Sequence, residues 1–194
     1  MKIDHVLKLS LIPLCCLALW GCDVVKLDQH GKPIIPMSAA EAASLKNMTP
    51  AALADKFWDH ILSEAQKVSG AFGEQTMKED SSRFVRIHGI VNSLDDSKKR
   101  ATMTVTSAQH QVVLQIGPII RGNSIRDAAS FIQFDDFKNQ VQFARLSKAL
   151  NKKAMQHFVR PDASWVGHQV DILAAVTRKK AGITDVIPLE MTKR

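Results

Sequence analysis

The spacing of apolar residues changes from a helical to a strand period after about residue 80, and this change constrains the fold more than any other feature. Over residues 50–68 apolar side chains recur every three or four positions, which predicts an amphipathic helix. Thr49 followed by Pro50 is the usual start of such a helix, and a capping-box pattern predicts a shorter one over residues 38–46. From Arg83 the period becomes two, which is typical of half-buried strands.

The predicted strands and a second long helix follow one another in a definite order. We predict strands over residues 83–91, 101–106 and 112–116, a helix over 136–158, and strands over 165–176 and 183–191. The order matches the five-stranded, partly open barrel of the oligonucleotide/oligosaccharide-binding (OB) fold. The predicted fold is therefore α+β, a five-stranded antiparallel OB-like barrel preceded by N-terminal helices. A simple antiparallel sheet with helices on one face is the alternative, and Pro188 predicts an edge position for the last strand.

The first residues have the pattern of a secretory signal peptide. Lys2 and Lys8 accompany an apolar run over residues 9–20, which is too short to span a bilayer. The run ends in Leu19-Trp20-Gly21-Cys22, which resembles the bacterial lipobox, where the cysteine is acylated before cleavage. A cleaved secretory signal followed by a chance cysteine is the alternative interpretation.

Lipid on Cys22 predicts where the mature chain resides. Acyl chains on one cysteine supply the two or more lipid signals that stable anchoring needs. Asp23 resembles the residue that retains lipoproteins of enteric-type bacteria in the inner membrane, so we expect the periplasmic face of that membrane. The predicted organisation is a lipoprotein signal peptide over residues 1–21, the lipidated cysteine and a tether over 22–37, and a single globular domain over 38–194.

The charge and the cysteines limit the classes of ligand. The 194 residues carry a formal charge of +7, and removing Lys2, Lys8 and Asp4 with the leader leaves +6. In the periplasm we expect no nucleic acid, whereas anionic lipid headgroups beside the anchor attract a basic domain. All three cysteines lie within the first 22 residues, so the mature chain forms no internal disulfide and no multi-cysteine metal site.

The segment least explained by periodicity is GPIIRGNSIRDAASFIQFDD, which we call the Gly117–Asp136 loop. Long irregular connections are often functional, and guanidinium groups with backbone amides can hold a carboxylate or phosphate. The candidate ligand-binding residues in and beside it are Arg121, Asn123, Arg126, Asp127 and Asn139. Alternatively, the two arginines form internal ion bridges with Asp127, Asp135 or Asp136 that hold the loop against the barrel.

Three motifs carry a resemblance to a known family: residues 117–127, residues 131–140 and Ala149-Leu150-Asn151. They look like a family of predicted periplasmic lipoproteins known as domain of unknown function 2291, and the likeness extends over most of the mature chain. The resemblance implies a lipoprotein with no assigned activity, whose relatives are suspected of accompanying sugar importers of the ATP-binding-cassette type. It carries over no catalytic residue.

The sequence contains no local motif for catalysis or metal binding. The histidines show no close ligand spacing and no serine lies in a nucleophile-elbow pattern, so we expect no metal, no cofactor and no enzymatic activity. The leading hypothesis is a non-catalytic, inner-membrane-anchored binding or accessory module for a protein partner such as transporter subunits of a sugar importer. The alternatives are a small solute, sugar or anion, bound at the Gly117–Asp136 loop, and an enzyme whose active residues are dispersed along the chain.

Overall fold

The computed structural model describes residues 39–73 and 77–194 of the chain. The predicted signal peptide, Cys22 and the tether lie outside the described residues, as does Ser38, the predicted cap of the first helix. No helix in the described ranges is long and apolar enough to cross a membrane.

Four α-helices are present in the described ranges, and the first two match the prediction. They are α1 (Ala39–Lys46), α2 (Pro50–Val68), α3 (Ser124–Ala128) and α4 (Gln140–His157). The hydroxyl of Thr49 accepts a hydrogen bond from the Ala52 amide at 3.2 Å, which confirms its capping role. Helix α3 was not predicted, because five residues are too few to show a helical period.

Among the described residues six strands form one sheet, and five of them close into a barrel. They are β1 (Gly70–Ala71), β2 (Ser81–Asp95), β3 (Thr102–Ser107), β4 (His110–Gln115), β5 (Gln169–Lys179) and β6 (Gly182–Lys193). The order is β1-β2-β3-β4-β6-β5, and the pairing of β2 with β5 closes β2 to β6 into a barrel. The predicted five-stranded barrel is confirmed. Its pairings are antiparallel except that of β4 with β6, which is parallel and completes the closure at Leu114 and Val186.

Two elements begin later than predicted, each because a short 3-10 turn precedes the element, and β2 extends beyond the predicted residues 83–91 at both ends. The long helix begins at Gln140 and not at residue 136, since the Asn139 side chain caps it by accepting from the Gln142 amide at 2.9 Å. Residues Phe134–Asp136 form a separate turn before it. Strand β5 begins at Gln169 and not at residue 165, because Ala163–Trp165 is a turn capped by Asp162.

The prediction that Pro188 marks an edge strand is also wrong. Strand β6 lies between β4 and β5 in the sheet. Pro188 is opposite Ala174, while the next paired residue, Glu190, is opposite Leu173, so β6 carries one extra residue at this point. A β-bulge disrupts the hydrogen-bond ladder locally, which makes room for a residue that has no amide hydrogen.

Two hydrophobic cores lie on opposite sides of the β2–β5 wall. The barrel interior holds Val85 and Ile87 of β2 with Ile172 and Ala174 of β5. Phe84, Leu173 and Ala175 point outward and pack with the four helices. Residues 172–177 of β5 are therefore all buried, so β5 contains a continuous apolar run where a half-buried strand would alternate.

The helices leave the far end of this wall uncovered. The outward-facing pairs along β2 and β5 run from Phe84 opposite Ala175 to His88 opposite Asp171 and Ile90 opposite Gln169. The first of these pairs lies in the helical core, whereas His88, Ile90 and Gln169 are exposed.

Candidate functional site

The uncovered end of the wall forms an open groove of about 450 Å³. We call it the β2–β5 groove, and the residues that line it are His88, Gly89, Ile90, Gln169, Val170, Asp171 and Arg194. It lies where β2 leaves one partner strand for another, since Ile90 is opposite both Gln169 of β5 and Thr106 of β3. Gly89 allows this junction, because a Cβ at that position would lie 2.2 Å from the Thr106 carbonyl oxygen.

One carboxylate organises the polar side chains of the groove. One oxygen of Asp171 contacts Nδ1 of His88 and the other accepts a hydrogen bond from Nε of Arg194. The hydrogen bond from His88, followed by that from Arg194, holds the pKa of Asp171 below its usual range. Asp171 is therefore ionised at neutral pH and fixes the two basic side chains at the edge of the groove.

The groove offers hydrogen-bond donors beside an apolar side chain. His88 and Arg194 are each more than half exposed, and Nε2 of His88 and the terminal nitrogens of Arg194 are not used in the contacts with Asp171. Ile90, 46% exposed, lies next to them. No lining residue carries a hydroxyl or thiol, so the groove places no side-chain nucleophile beside the His88–Asp171 pair. This chemistry suits the binding of a carboxylate or carbonyl group with an adjoining apolar surface.

The structure gives Arg126, one of the five predicted ligand residues, several internal contacts. Its side chain is buried, and its guanidinium group forms an ion pair with Asp127 at 2.6 Å. It also donates to the Phe143 carbonyl oxygen at 3.2 Å and lies 3.8 Å from the centre of the Phe143 ring. These contacts join α3 to α4, and the Arg126–Asp127 pair is one of the ion bridges that the alternative interpretation of the loop predicted.

The other three candidates are not gathered around one cavity. Arg121 is exposed and its backbone forms two hydrogen bonds with the Gln115 side chain of β4, at 2.8 and 2.9 Å. Asn123 is the exposed N-cap residue of α3 without a side-chain cap bond, and Asn139 caps α4. None of the five candidates lines the β2–β5 groove. Ligand binding by the Gly117–Asp136 loop stays a prediction.

Sequence reasoning missed His88, Asp171 and Arg194 because they are far apart along the chain. The alternation in β2 places His88 on the face opposite the barrel core, and this much could be read from the sequence. The register that sets His88 opposite Asp171 could not, because it depends on how β5 returns to the barrel after α4.

Comparison with known proteins identifies the family and the fold. The family described as "Predicted periplasmic lipoprotein (DUF2291)" matches residues 13–192 of the chain. The chain belongs to this family. The crystal structure of an OB-fold protein from Thermotoga maritima is similar, with 18% identity and a TM-score of 0.59, covering 77% of this chain and 100% of that one. This likeness shows that the lipoprotein has an OB fold. A comparison with curated protein sequences finds no match.

Residues Gly122 and Ser124 of the Gly117–Asp136 loop contact Asp185, a half-buried aspartate of β6. Gly122 has a φ of +101°, and a Cβ there would lie 2.4 Å from the Asp185 carboxyl carbon. Ser124 donates to the Asp185 carbonyl oxygen at 2.7 Å, and the buried Asn151 of α4 donates to the Gly122 carbonyl oxygen at 3.0 Å. Gly122, Ser124 and Asn151 therefore fix the loop against β6 and α4.

Asp185 gives a pH-dependent prediction. Burial raises its pKa, and Asp127 adds to the rise while Lys179 opposes it. The folded lipoprotein therefore favours the neutral carboxyl, and the corresponding stability is lost as the pH rises through the folded pKa. We expect Asp185→Asn and the wild type to have the same Tm at about pH 3. At pH 7 we expect Asp185→Asn to have the higher Tm. Asparagine tolerates the positive φ of 50° found here. Thermal unfolding between these pH values checks this, and a difference independent of pH would contradict it.

Proposed function

We propose that this lipoprotein is a non-catalytic binding module that is held on the periplasmic face of the inner membrane by acylated Cys22. It docks a membrane protein partner through the β2–β5 groove. The observation that carries this proposal is the cluster of exposed His88 and Arg194 around the partly buried Asp171, beside Ile90 at the uncovered end of the barrel wall.

The form of the groove supports a protein partner over a small solute. Small-molecule sites bury most of their ligand in a concave, mainly apolar cavity. The β2–β5 groove is open to solvent and presents charged side chains at its edge. Arginine, with tryptophan and tyrosine, is enriched at the energetic centres of protein interfaces. Arg194 is of this type and Ile90 adds apolar surface beside it, and an acidic or carbonyl-bearing segment of the partner would complement His88 and Arg194.

The proposed partner is a subunit of a sugar importer of the ATP-binding-cassette type. A lipid-anchored module on the periplasmic face would share the membrane surface with such a transporter, so docking would need no long-range diffusion. The suspected association of relatives with these importers supports testing their subunits as the first candidate partners.

Co-purification tests the proposal. Tagged full-length lipoprotein is extracted from its own membranes in mild detergent, and the proteins recovered with it are identified by mass spectrometry. Wild type is expected to recover transporter subunits. His88→Ala combined with Arg194→Ala is expected to reduce their recovery by about tenfold or more, because hydrogen bonds to charged groups contribute about 1.5–3 kcal/mol each. Lys98→Ala combined with Lys99→Ala, in the exposed β2–β3 turn, is the matched control and should leave recovery unchanged.

Cys22→Ser tests the anchor separately, because this variant should carry no acyl chain by mass spectrometry while its barrel stays folded. Equal recovery of subunits by the groove variant would contradict docking at the groove. Recovery of the lipoprotein alone would contradict a stable protein partner and favour a small solute.

A further inference from the structure

The exposed side of α4 carries a basic stripe. Arg145, Lys148 and Lys152 follow Val141 at spacings of four, three and four residues, so the four side chains lie on one face of the helix. All four are exposed, and no ion pair involving the three basic residues is found within the described part of the chain. We call this surface the α4 basic face. It also holds a shallow hollow of about 360 Å³ that Val141, Arg145 and Lys148 help to line.

A neighbouring basic residue of α4, Lys153, is by contrast paired within the domain. Lys153 forms an ion pair with Asp55 of α2 at 2.5 Å, on the side of α4 that packs against the helices. The residues of the α4 basic face lie about 80–140° around the helix axis from Lys153 and are exposed, so their positive charge is available to an external anionic surface.

Helix α1, the first element after the tether, ends beside the first turn of α4, and its eight residues are about 12 Å long. The Gln142 side chain of α4 donates to the carbonyl oxygens of Leu45 and Met48, at 3.1 and 3.0 Å, and so fixes the end of α1 there. Residues 23–38 can span at most about 55 Å even when fully extended. A membrane that holds Cys22 is therefore within reach of the α4 basic face without rearrangement of the domain.

We infer that the α4 basic face binds the anionic phospholipid headgroups of the membrane that carries the lipoprotein. The inference rests on the proposed anchoring through Cys22. Lysine and arginine side chains near an anionic surface are attracted to its phosphates, and Val141 can enter the apolar boundary beside them. The contact fixes which side of the barrel faces the membrane, and the lipid on Cys22 supplies the attachment.

Vesicle binding by a chain without the lipid tests this surface independently of anchoring. Residues 22–194 carrying Cys22→Ser retain every described contact, because both cores lie within the described ranges. Binding is measured by co-sedimentation with vesicles of phosphatidylcholine alone or mixed with phosphatidylglycerol. The wild-type surface is expected to bind the anionic vesicles, and Arg145→Gln, Lys148→Gln and Lys152→Gln together to weaken that binding about 100-fold, since each basic residue contributes about fivefold.

A matched variant keeps the test specific. Lys98→Gln, Lys99→Gln and Arg100→Gln remove the same charge from the β2–β3 turn and should weaken binding by less than about fivefold. Circular dichroism shows whether each variant is folded. Equal losses in the two triple variants would overturn the assignment to α4 and leave only a general charge effect. Absence of binding to anionic vesicles would overturn it as well, whatever the state of Cys22 in the cell.

Discussion

Replacing Gly89 with alanine should lower the free energy of unfolding by about 3 kcal/mol or more. The new Cβ would lie 2.2 Å from the Thr106 carbonyl oxygen and 2.7 Å from a methyl carbon of Val105. The first of these atoms is backbone in the adjacent strand. Removing the clash therefore requires β2 and β3 to separate where Ile90 pairs with Thr106 and Val91 with Val105. For a domain of this size the expected fall in Tm is roughly 6–12 °C, measured by thermal unfolding.

Gly73→Ala is the matched control for Gly89→Ala. A Cβ at Gly73 meets nothing within 4 Å, and its φ is not in the left-handed region. The alanine should therefore change stability by less than about 1 kcal/mol. Equal stability of Gly89→Ala and wild type would show that the junction of β2 with β3 is not as close as described, and the position of the β2–β5 groove would be in doubt with it.

Replacing Arg126 with alanine should cost about 2–3 kcal/mol, which is the second of the large effects. The side chain is 9% exposed and connects α3 to α4 through the Phe143 carbonyl oxygen and ring. Its removal leaves that oxygen without its side-chain donor and opens space over the Phe143 ring. The cost stays below that of breaking a deeply buried ion pair, because the Asp127 side chain is 40% exposed and remains hydrated. Urea unfolding gives the difference directly.

Two further substitutions show which contact of Arg126 matters. Arg126→Lys keeps the charge but loses the planar group that lies over the Phe143 ring, so it should cost about half as much as alanine. Asp127→Asn removes only a half-exposed ion pair and should cost less than about 1 kcal/mol. If Arg126→Ala leaves stability unchanged, the internal contacts contribute little, and the arginine becomes again a candidate for binding a ligand at the Gly117–Asp136 loop.

Elements with strong periodicity could be predicted from the sequence because burial in them is one-sided. In α2 the apolar stripe includes Leu53, Phe57 and Ile61, all buried against the other helices. In β3 the buried Met103 and Val105 alternate with threonines. Boundaries failed where local side-chain hydrogen bonds decide them, as Asn139 does for α4, since capping choices do not alter the apolar period.

The candidate groove could not be predicted, because it depends on strand register and on where the helical cover ends. His88 and Asp171 are 83 residues apart, and neither belongs to a motif. The Gly117–Asp136 loop attracted attention through its charges and its likeness to the family. In the structure, Gly122, Ser124 and Arg126 of this loop hold it against β6 and α4. These three residues thus hold the loop in the fold.

Cross-linking in native membranes tests the central claim most directly. A photo-reactive amino acid is placed at Ile90 of the full-length lipoprotein, and at Val159, which is 83% exposed and outside the groove, as the control. Docking through the β2–β5 groove predicts a discrete adduct from Ile90 with one membrane protein. The adduct should be absent from Val159 and lost when Arg194→Ala is added. No adduct at Ile90, or the same adducts from both positions, would contradict the proposed binding surface.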